Sequence, residues 1–143
     1  MMISTKGRYA LRVLIDMAEH PSTDNIPLKE VAERQEISEK YLENIVKDLV
    51  KAGIIKGLRG KGGGYQLNKA PDQINVYDVV CLMEGTLAPV ACLDAETPPC
   101  RRMSDCRTLS LWKGLDDAVR TYLSAYTVED LMQKKSDGFD YVI

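Results

Sequence analysis

Four cysteines are the residues of this sequence best suited to chemistry: Cys81, Cys92, Cys100 and Cys106. Three of them fall within fifteen residues, with seven residues between Cys92 and Cys100 and five between Cys100 and Cys106. These spacers are wider than the two-residue spacing common in structural zinc sites, which argues against zinc. An iron-sulfur cluster has several metal-sulfur bonds to share and can be wrapped by a loop with long spacers, given thiolates and a positive environment. Arg101, Arg102 and Arg107 stand among the three cysteines, favouring thiolates and offsetting cluster charge. Free thiols or a reversible redox pair are the other reading of the same residues. Cys81, on the apolar side of a predicted short helix, reads as a buried core thiol.

The segment that carries these cysteines, 85–107, is broken by Pro89, Pro98 and Pro99 and has no period, so it is a long functional loop or a disordered one. A short helix precedes it, capped by Asn75 and apolar along Val76, Val79, Val80 and Met83. A longer helix is predicted over 108–126, where Trp112, Leu115, Val119, Tyr122 and Tyr126 recur at alternating spacings of three and four. Such a stripe is a helix-pairing seam. Thr127 and Asp130 form a capping-box-like start for a last short helix, and the tail follows.

The first half of the chain has a different logic. Thr5 can cap a helix whose apolar positions are Tyr9, Ala10, Val13, Leu14, Met17 and Ala18, and His20-Pro21 ends it. His20, the single histidine, reads as a surface or helix-terminal residue rather than a ligand. A second helix opens at Pro27 and buries Leu28, Val31 and Ala32. Ser38 caps a third, with an apolar ridge of Leu42, Ile45, Val46, Leu49 and Val50. Its other face presents Glu39, Lys40, Glu43, Asn44 and Lys47. Two helices joined by a tight turn, the second with a polar outer face, follow the helix-turn-helix plan. Ile54 to Leu58 and Tyr65 to Leu67 then flank Arg59-Gly60-Lys61-Gly62-Gly63-Gly64, a basic glycine-rich hairpin of the kind that forms a wing.

Major-groove readout needs donors and acceptors on the outer face of a helix, which Lys40, Tyr41, Glu43, Asn44 and Lys47 supply. Cationic groups for phosphates or a narrow minor groove are supplied by Arg59 and Lys61. Between 47 and 61 there are five basic residues and one acidic one, although the whole chain carries a net charge of -2. Residues 1–75 hold 12 Lys/Arg against 10 Asp/Glu, and 76–143 hold 7 against 11, so the two halves face different partners.

The chain has 143 residues, 45% hydrophobic and 28% charged, enough for one domain of modest core plus an appendage. No run is long and apolar enough to span a membrane and the start is unlike a signal peptide, so no membrane association and a cytoplasmic location are expected. Cysteines in such a chain serve as thiols or ligands rather than structural disulfides. An enzyme is not expected. There is no nucleophile-base pair or metalloprotease signature, and the glycines follow no strand-to-helix pattern that would cradle phosphate.

Ser4-Thr5-Lys6-Gly7-Arg8-Tyr9-Ala10-Leu11, Ile37-Ser38-Glu39-Lys40-Tyr41-Leu42-Glu43 and Arg59-Gly60-Lys61-Gly62-Gly63-Gly64-Tyr65 resemble the winged-helix regulators that include IscR, NsrR and CymR, over nearly the whole chain. The resemblance implies a homodimer on a palindromic double-stranded DNA operator, a recognition helix starting near Ser38, and a wing arginine, here Arg59, in the minor groove. A long pairing helix fits that plan, because operator half-sites lie roughly 34 Å apart. Glu36 stands where relatives often have glycine, which should alter the turn slightly. The resemblance further implies that Cys92, Cys100 and Cys106 hold an iron-sulfur cluster, [2Fe-2S] favoured and [4Fe-4S] the alternative. One branch of the family adds a histidine where this chain has Leu109, and another an aspartate where it has Arg8. The fourth ligand is therefore open among Asp94, Glu96, Asp105, Cys81, solvent or a small thiol. CymR-like relatives end much like 137–143, which implies cysteine synthase as an alternative partner for the tail.

The expectation is thus a mainly α fold with a small β-hairpin. It comprises a winged helix-turn-helix DNA-binding domain over 1–84, a cysteine-containing sensing loop over 85–107, a dimerisation helix over 108–126, and a short helix with a tail over 127–143. The DNA-binding candidates are Ser38, Glu39, Lys40, Tyr41, Glu43, Asn44, Lys47, Arg59 and Lys61. Cluster state would control operator affinity. The alternative is a cluster-free regulator of cysteine metabolism controlled by contact with cysteine synthase.

Overall fold

Ser4, rather than Thr5, caps the first helix. In the computed structural model, which describes residues 2–58 and 63–133, Ser4 Oγ accepts the Gly7 N–H at 3.4 Å and α1 runs Thr5–Glu19. The choice is tertiary: Ser4 donates its N–H to the Glu84 carboxylate at 2.8 Å and its hydroxyl to the same group, which fastens the start of α1 to a later helix. Ala10, Val13, Leu14, Met17 and Ala18 are buried, as their spacing predicts. His20 ends the helix, its ring Nδ1 2.8 Å from the Asp16 carbonyl.

Helix α2 (Leu28–Gln35) starts one residue later than expected, with Pro27 as the residue before it. Its exit is the tight turn of the helix-turn-helix. Glu36 adopts φ 56° and ψ 46°, a left-handed conformation that glycine takes without steric cost. The Ile37 N–H reaches back to the Ala32 carbonyl at 3.1 Å and the Glu36 N–H to that of Glu33 at 3.4 Å, while Ile37 is buried. This is a Schellman closure that satisfies the last carbonyls of α2.

Helix α3 (Glu39–Lys51) is capped by Ser38, whose Oγ accepts the Tyr41 N–H at 3.1 Å. Leu42, Ile45, Val46 and Leu49 are buried, each such side chain stabilising the fold by about 1.5–3 kcal/mol. Val50 departs from the expected ridge and is 38% exposed. At about 100° per residue it lies roughly 80° around the helix from Leu42, at the edge of the apolar stripe.

Strands β1 (Ile55–Leu58) and β2 (Gly64–Leu67) pair antiparallel, with Ile55 opposite Leu67 and Leu58 opposite Gly64. Ile26, just before α2, adds a third edge. Its N–H donates to the Tyr65 carbonyl at 2.8 Å, and its carbonyl accepts the Tyr65 N–H at 2.9 Å. A Cβ on Gly64 would stand 2.5 Å from the Ile26 carbonyl oxygen, so this backbone approach requires glycine.

After a 3-10 turn over Pro71–Gln73 comes α4 (Val76–Glu84), capped by Asn75, whose Oδ1 accepts the Tyr77 and Asp78 N–H groups at 2.9 and 3.3 Å. Val76, Val79, Val80 and Met83 are buried, as expected. Helix α5 (Leu109–Ser124) is shorter than the predicted 108–126. Its end is clipped to the start of α4: Asn75 Nδ2 donates to the Ser124 carbonyl at 2.9 Å, Val76 N–H to that of Tyr126 at 3.0 Å, and Val128 N–H to that of Ile74 at 2.9 Å. These bonds need Ala125 and Tyr126 outside the helix. The last helix, α6 (Val128–Leu131), opens with the predicted Thr127–Asp130 capping box. Among the described residues, no helix is long and apolar enough to cross a membrane.

The main core joins α1, α2, α3, β1 and Val128, and a second cluster of Val76, Val80 and Leu87 receives Val119, Leu123 and Tyr126. The predicted seam is therefore divided. Val119 and Tyr126 pack on their own chain, whereas Leu115 and Tyr122 are exposed, and no residue of α5 is buried.

Candidate nucleic-acid interface and cysteine loop

Helix α3 is held by a polar network that begins at Asp16, which is 1% exposed. Its carboxylate accepts Arg34 Nη2 at 2.7 Å, Arg34 Nε at 3.0 Å and Gln35 Nε2 at 2.9 Å. Burial alone would raise the Asp16 carboxyl, but the Arg34 and Gln35 hydrogen bonds outweigh it and hold the group below its ordinary value. Gln35 in turn accepts from Arg12 through both its side-chain and backbone oxygens. The Arg12 guanidinium lies 4.9 Å from the centre of the Tyr9 ring, and Tyr9 meets Tyr41 of α3 edge-on with ring centres 5.7 Å apart. One buried carboxylate thereby braces α1, α2 and the start of α3.

Glu39, Lys40, Glu43, Asn44 and Lys47 are exposed along the outer face of α3. Ser38 is exposed at its start, with the hydroxyl oxygen engaged as the cap. Tyr41 differs from the other candidates. It is half-buried, and its ring spaces α3 from α1. Arg59 and Lys61 lie outside the described residues, but the strands on either side carry the chain out to Leu58, 63% exposed, beside α3. Glu43, Val46, Lys47, Val50, Leu58 and Tyr65 line a cleft of about 330 Å³ between α3 and the wing. Its Val50 and Leu58 were outside the sequence-based set because they read as core and strand.

Lys6 is the functional candidate that sequence reasoning missed. Its Nζ donates to Asp48 Oδ2 at 2.7 Å, joining the first turn of α1 to α3. That hydrogen bond holds the Asp48 carboxyl below its ordinary value. On this flank Lys6, Tyr41, Asn44, Lys47 and Asp48 line a polar cleft of about 340 Å³. A lysine 42 positions before its partner carries no periodic signal.

The cysteine segment runs from α4 to α5. Cys92 is half-buried in a 3-10 turn over Ala91–Leu93. Cys100 is exposed, and its Sγ accepts the Arg102 N–H at 3.5 Å. Cys106 is half-buried after a turn over Met103–Asp105, with Sγ 3.6 Å from Thr108 Oγ1. The Thr108 hydroxyl, the Thr108 and Leu109 N–H groups and the Arg102 charge hold the Cys106 thiol below its ordinary value. Cys81 is half-buried rather than a core thiol, at the margin of the second cluster. Contact with Cys81, followed by burial, raises the Tyr77 hydroxyl, over whose ring Arg120 of α5 lies at 5.1 Å.

Three thiols are thus gathered into one loop, though among the described residues no three Cys, His, Asp or Glu side chains converge as a metal-holding group. Their chemistry suits a thiolate-bound cluster: backbone N–H groups meet Cys100 and Cys106, the Arg102 charge acts on Cys106, and that last cysteine stands against the first turn of α5.

A family model described as "Rrf2: Iron-dependent Transcriptional regulator" matches residues 3–134. "Protein rrf2" of Nitratidesulfovibrio vulgaris is 42% identical over 136 residues, 95% of this chain and 90% of that protein. Among solved structures, CymR (YrzC), titled the global cysteine regulator of B. subtilis, superposes with a TM-score of 0.72 at 38% identity, over 92% of this chain and 95% of that one. The IscR of T. potens superposes with a TM-score of 0.72 at 33% identity, over 92% and 85%.

Proposed function

The chain belongs to the Rrf2 family of DNA-binding transcriptional regulators, which are not enzymes, and from that premise we propose that it is a homodimeric regulator whose operator affinity is set by an iron-sulfur cluster on Cys92, Cys100 and Cys106. The outer face of α3 reads the major groove through Glu39, Lys40, Glu43, Asn44 and Lys47. Arg59 and Lys61 of the wing take the adjacent backbone and minor groove. The exposed apolar residues of α5 pair with those of a second copy and set the separation of the two α3 helices.

One observation carries the reading: the cysteine loop runs directly into the first turn of α5, and among the described residues none of α5 is buried. The sensor and the dimer contact thereby share one helix. When bound, a cluster would supply one-electron redox chemistry and sensitivity to oxygen and iron supply. The chain's own contribution is the Arg102 N–H that Cys100 accepts, the Thr108 and Leu109 N–H groups that lower the Cys106 thiol, and α5, which transmits the order of the loop. The fold resembles both IscR and CymR structures, which favours [2Fe-2S] or [4Fe-4S] chemistry no further than the three thiols themselves do.

Anaerobic purification followed by iron, sulfide and visible-absorption analysis tests this. The wild type should be coloured and iron-loaded, and Cys92→Ala colourless. An iron-free wild type that still binds its operator after attempted anaerobic reconstitution would sink the cluster. In that case the likeness to the global cysteine regulator favours the second reading, control by cysteine synthase through 139–143. Deleting those residues should then abolish binding to that enzyme in a direct assay.

A further inference from the structure

The two clefts beside α3 flank its outer face in a way the wing alone does not explain. Glu43, Val46, Lys47 and Val50 line the wing side, and Tyr41, Asn44, Ile45, Lys47 and Asp48 line the α1 side. At about 100° per residue these sets are centred roughly 150° apart around the helix, with Lys47 between them. A helix lying in a major groove about 12 Å wide has a sugar-phosphate strand along each flank. The wing addresses one strand. On the other flank stands Lys6, projecting from α1, with its side chain 36% exposed.

We propose that Lys6 is a phosphate-binding residue of the operator complex, on the strand opposite the wing, and that Asp48 holds its ammonium in place until the phosphate takes it over. The inference rests on the DNA-binding reading above. The Lys6–Asp48 bond, 2.7 Å long, fixes the ammonium at the rim of a polar cleft rather than in the interior. Both partners are about one-third exposed, so exchanging a carboxylate for a phosphate requires no unfolding and little desolvation. Asp48 also has a reason to be there. An unpaired carboxylate on the DNA-facing side of α3 would repel the duplex, whereas a paired one positions a cation.

The test uses full-length protein and a fluorescein-labelled duplex selected by the wild type from a random-sequence pool, with affinity measured by anisotropy across a salt series. Lys6→Gln should weaken binding roughly tenfold at low salt and reduce the slope of log affinity against log salt by about 0.9 per protomer, while Lys6→Arg retains the slope. Thermal melting of Lys6→Gln should stay close to wild type, which separates a lost phosphate contact from a lost brace between α1 and α3. The same comparison in an Asp48→Asn background is decisive. Lys6→Gln must still lower the slope there. If its effect disappears once Asp48 is neutral, Lys6 only cancels Asp48 and the assignment is overturned. An unchanged slope for Lys6→Gln in the wild-type background overturns it equally. Failure of the wild type to select or bind any duplex would instead remove the DNA-binding reading itself.

Discussion

Replacing Asp16 by Asn tests whether one buried carboxylate holds the reading head together. The substitution keeps the shape of the side chain and removes its charge. Asp16 accepts Arg34 through two nitrogens and Gln35 through a third, and it is 1% exposed. Hydrogen bonds to charged groups contribute about 1.5–3 kcal/mol, and breaking a buried pair costs about 3–5 kcal/mol. Arg34 is 31% exposed and can recover some hydration. We therefore expect a loss of about 2–3 kcal/mol at pH 7, below the buried-pair range. For a chain of this size, that lowers Tm by roughly 6–10 °C. Urea denaturation of Asp16→Asn and wild type gives the difference directly. Acid should erase it. The folded carboxyl lies below its ordinary value, so its stabilisation is present above the unfolded value of about 3.9 and lost as pH falls through the folded one. A further replacement of Arg34 by Met should restore part of the loss, because no buried charge is then left without its partner and only the exposed Glu30, 3.6 Å from Arg34, loses an ion pair. A difference under about 0.5 kcal/mol at pH 7, or one that persists undiminished at pH 2, would refute the account.

Three other outcomes follow from the geometry. Glu36→Gly should stabilise the fold by about 0.5–1 kcal/mol in denaturant titration, since glycine removes the left-handed strain of 1–2 kcal/mol and returns part of it as unfolded-chain entropy. Gly64→Ala should destabilise by more than about 2 kcal/mol, because the new methyl meets the Ile26 backbone rather than a movable side chain; amide exchange at Ile26 and Tyr65 should rise with it. Leu111→Glu combined with Leu115→Glu, at positions 61% and 38% exposed, should leave the secondary structure intact and shift sedimentation to a monomer. Retention of a dimer would move the interface off α5.

Local signals account for most of what could be read from the chain itself. Ser38, Asn75 and the Thr127–Asp130 box are caps whose partners lie within three residues, and each is found where it was expected. The order of helix, turn, helix and hairpin is legible for the same reason. Distant partners are not. Ser4 takes the cap from Thr5 because Glu84 is there to receive it, and Asp16 reads as a polar position in α1 until Arg34 is folded against it. The 112–126 stripe is a sound periodic signal, yet periodicity cannot say that Val119 faces its own domain while Leu115 faces outward. Nor could the cysteine spacing reveal the placement of Cys106 beside the first N–H groups of α5, which depends on where that helix begins.

The clip between the end of α5 and the start of α4 has a mechanical consequence. Within the chain α5 is tied at its C-terminal end, and its 16 residues extend about 24 Å from there to the cysteine loop at 1.5 Å each. A displacement of about 4 Å at the loop end therefore arrives at the DNA-binding domain as a rotation of only about 10°. Rearrangements at the Cys106 end would thus reach the domain through α5 as small changes of angle, whereas the start of the segment is anchored directly, with Leu87 buried beside Val76 and Val80. In the proposed homodimer, a two-fold partner would repeat that rotation with its own α3, and the angle between the two α3 helices would change by twice as much as either one alone.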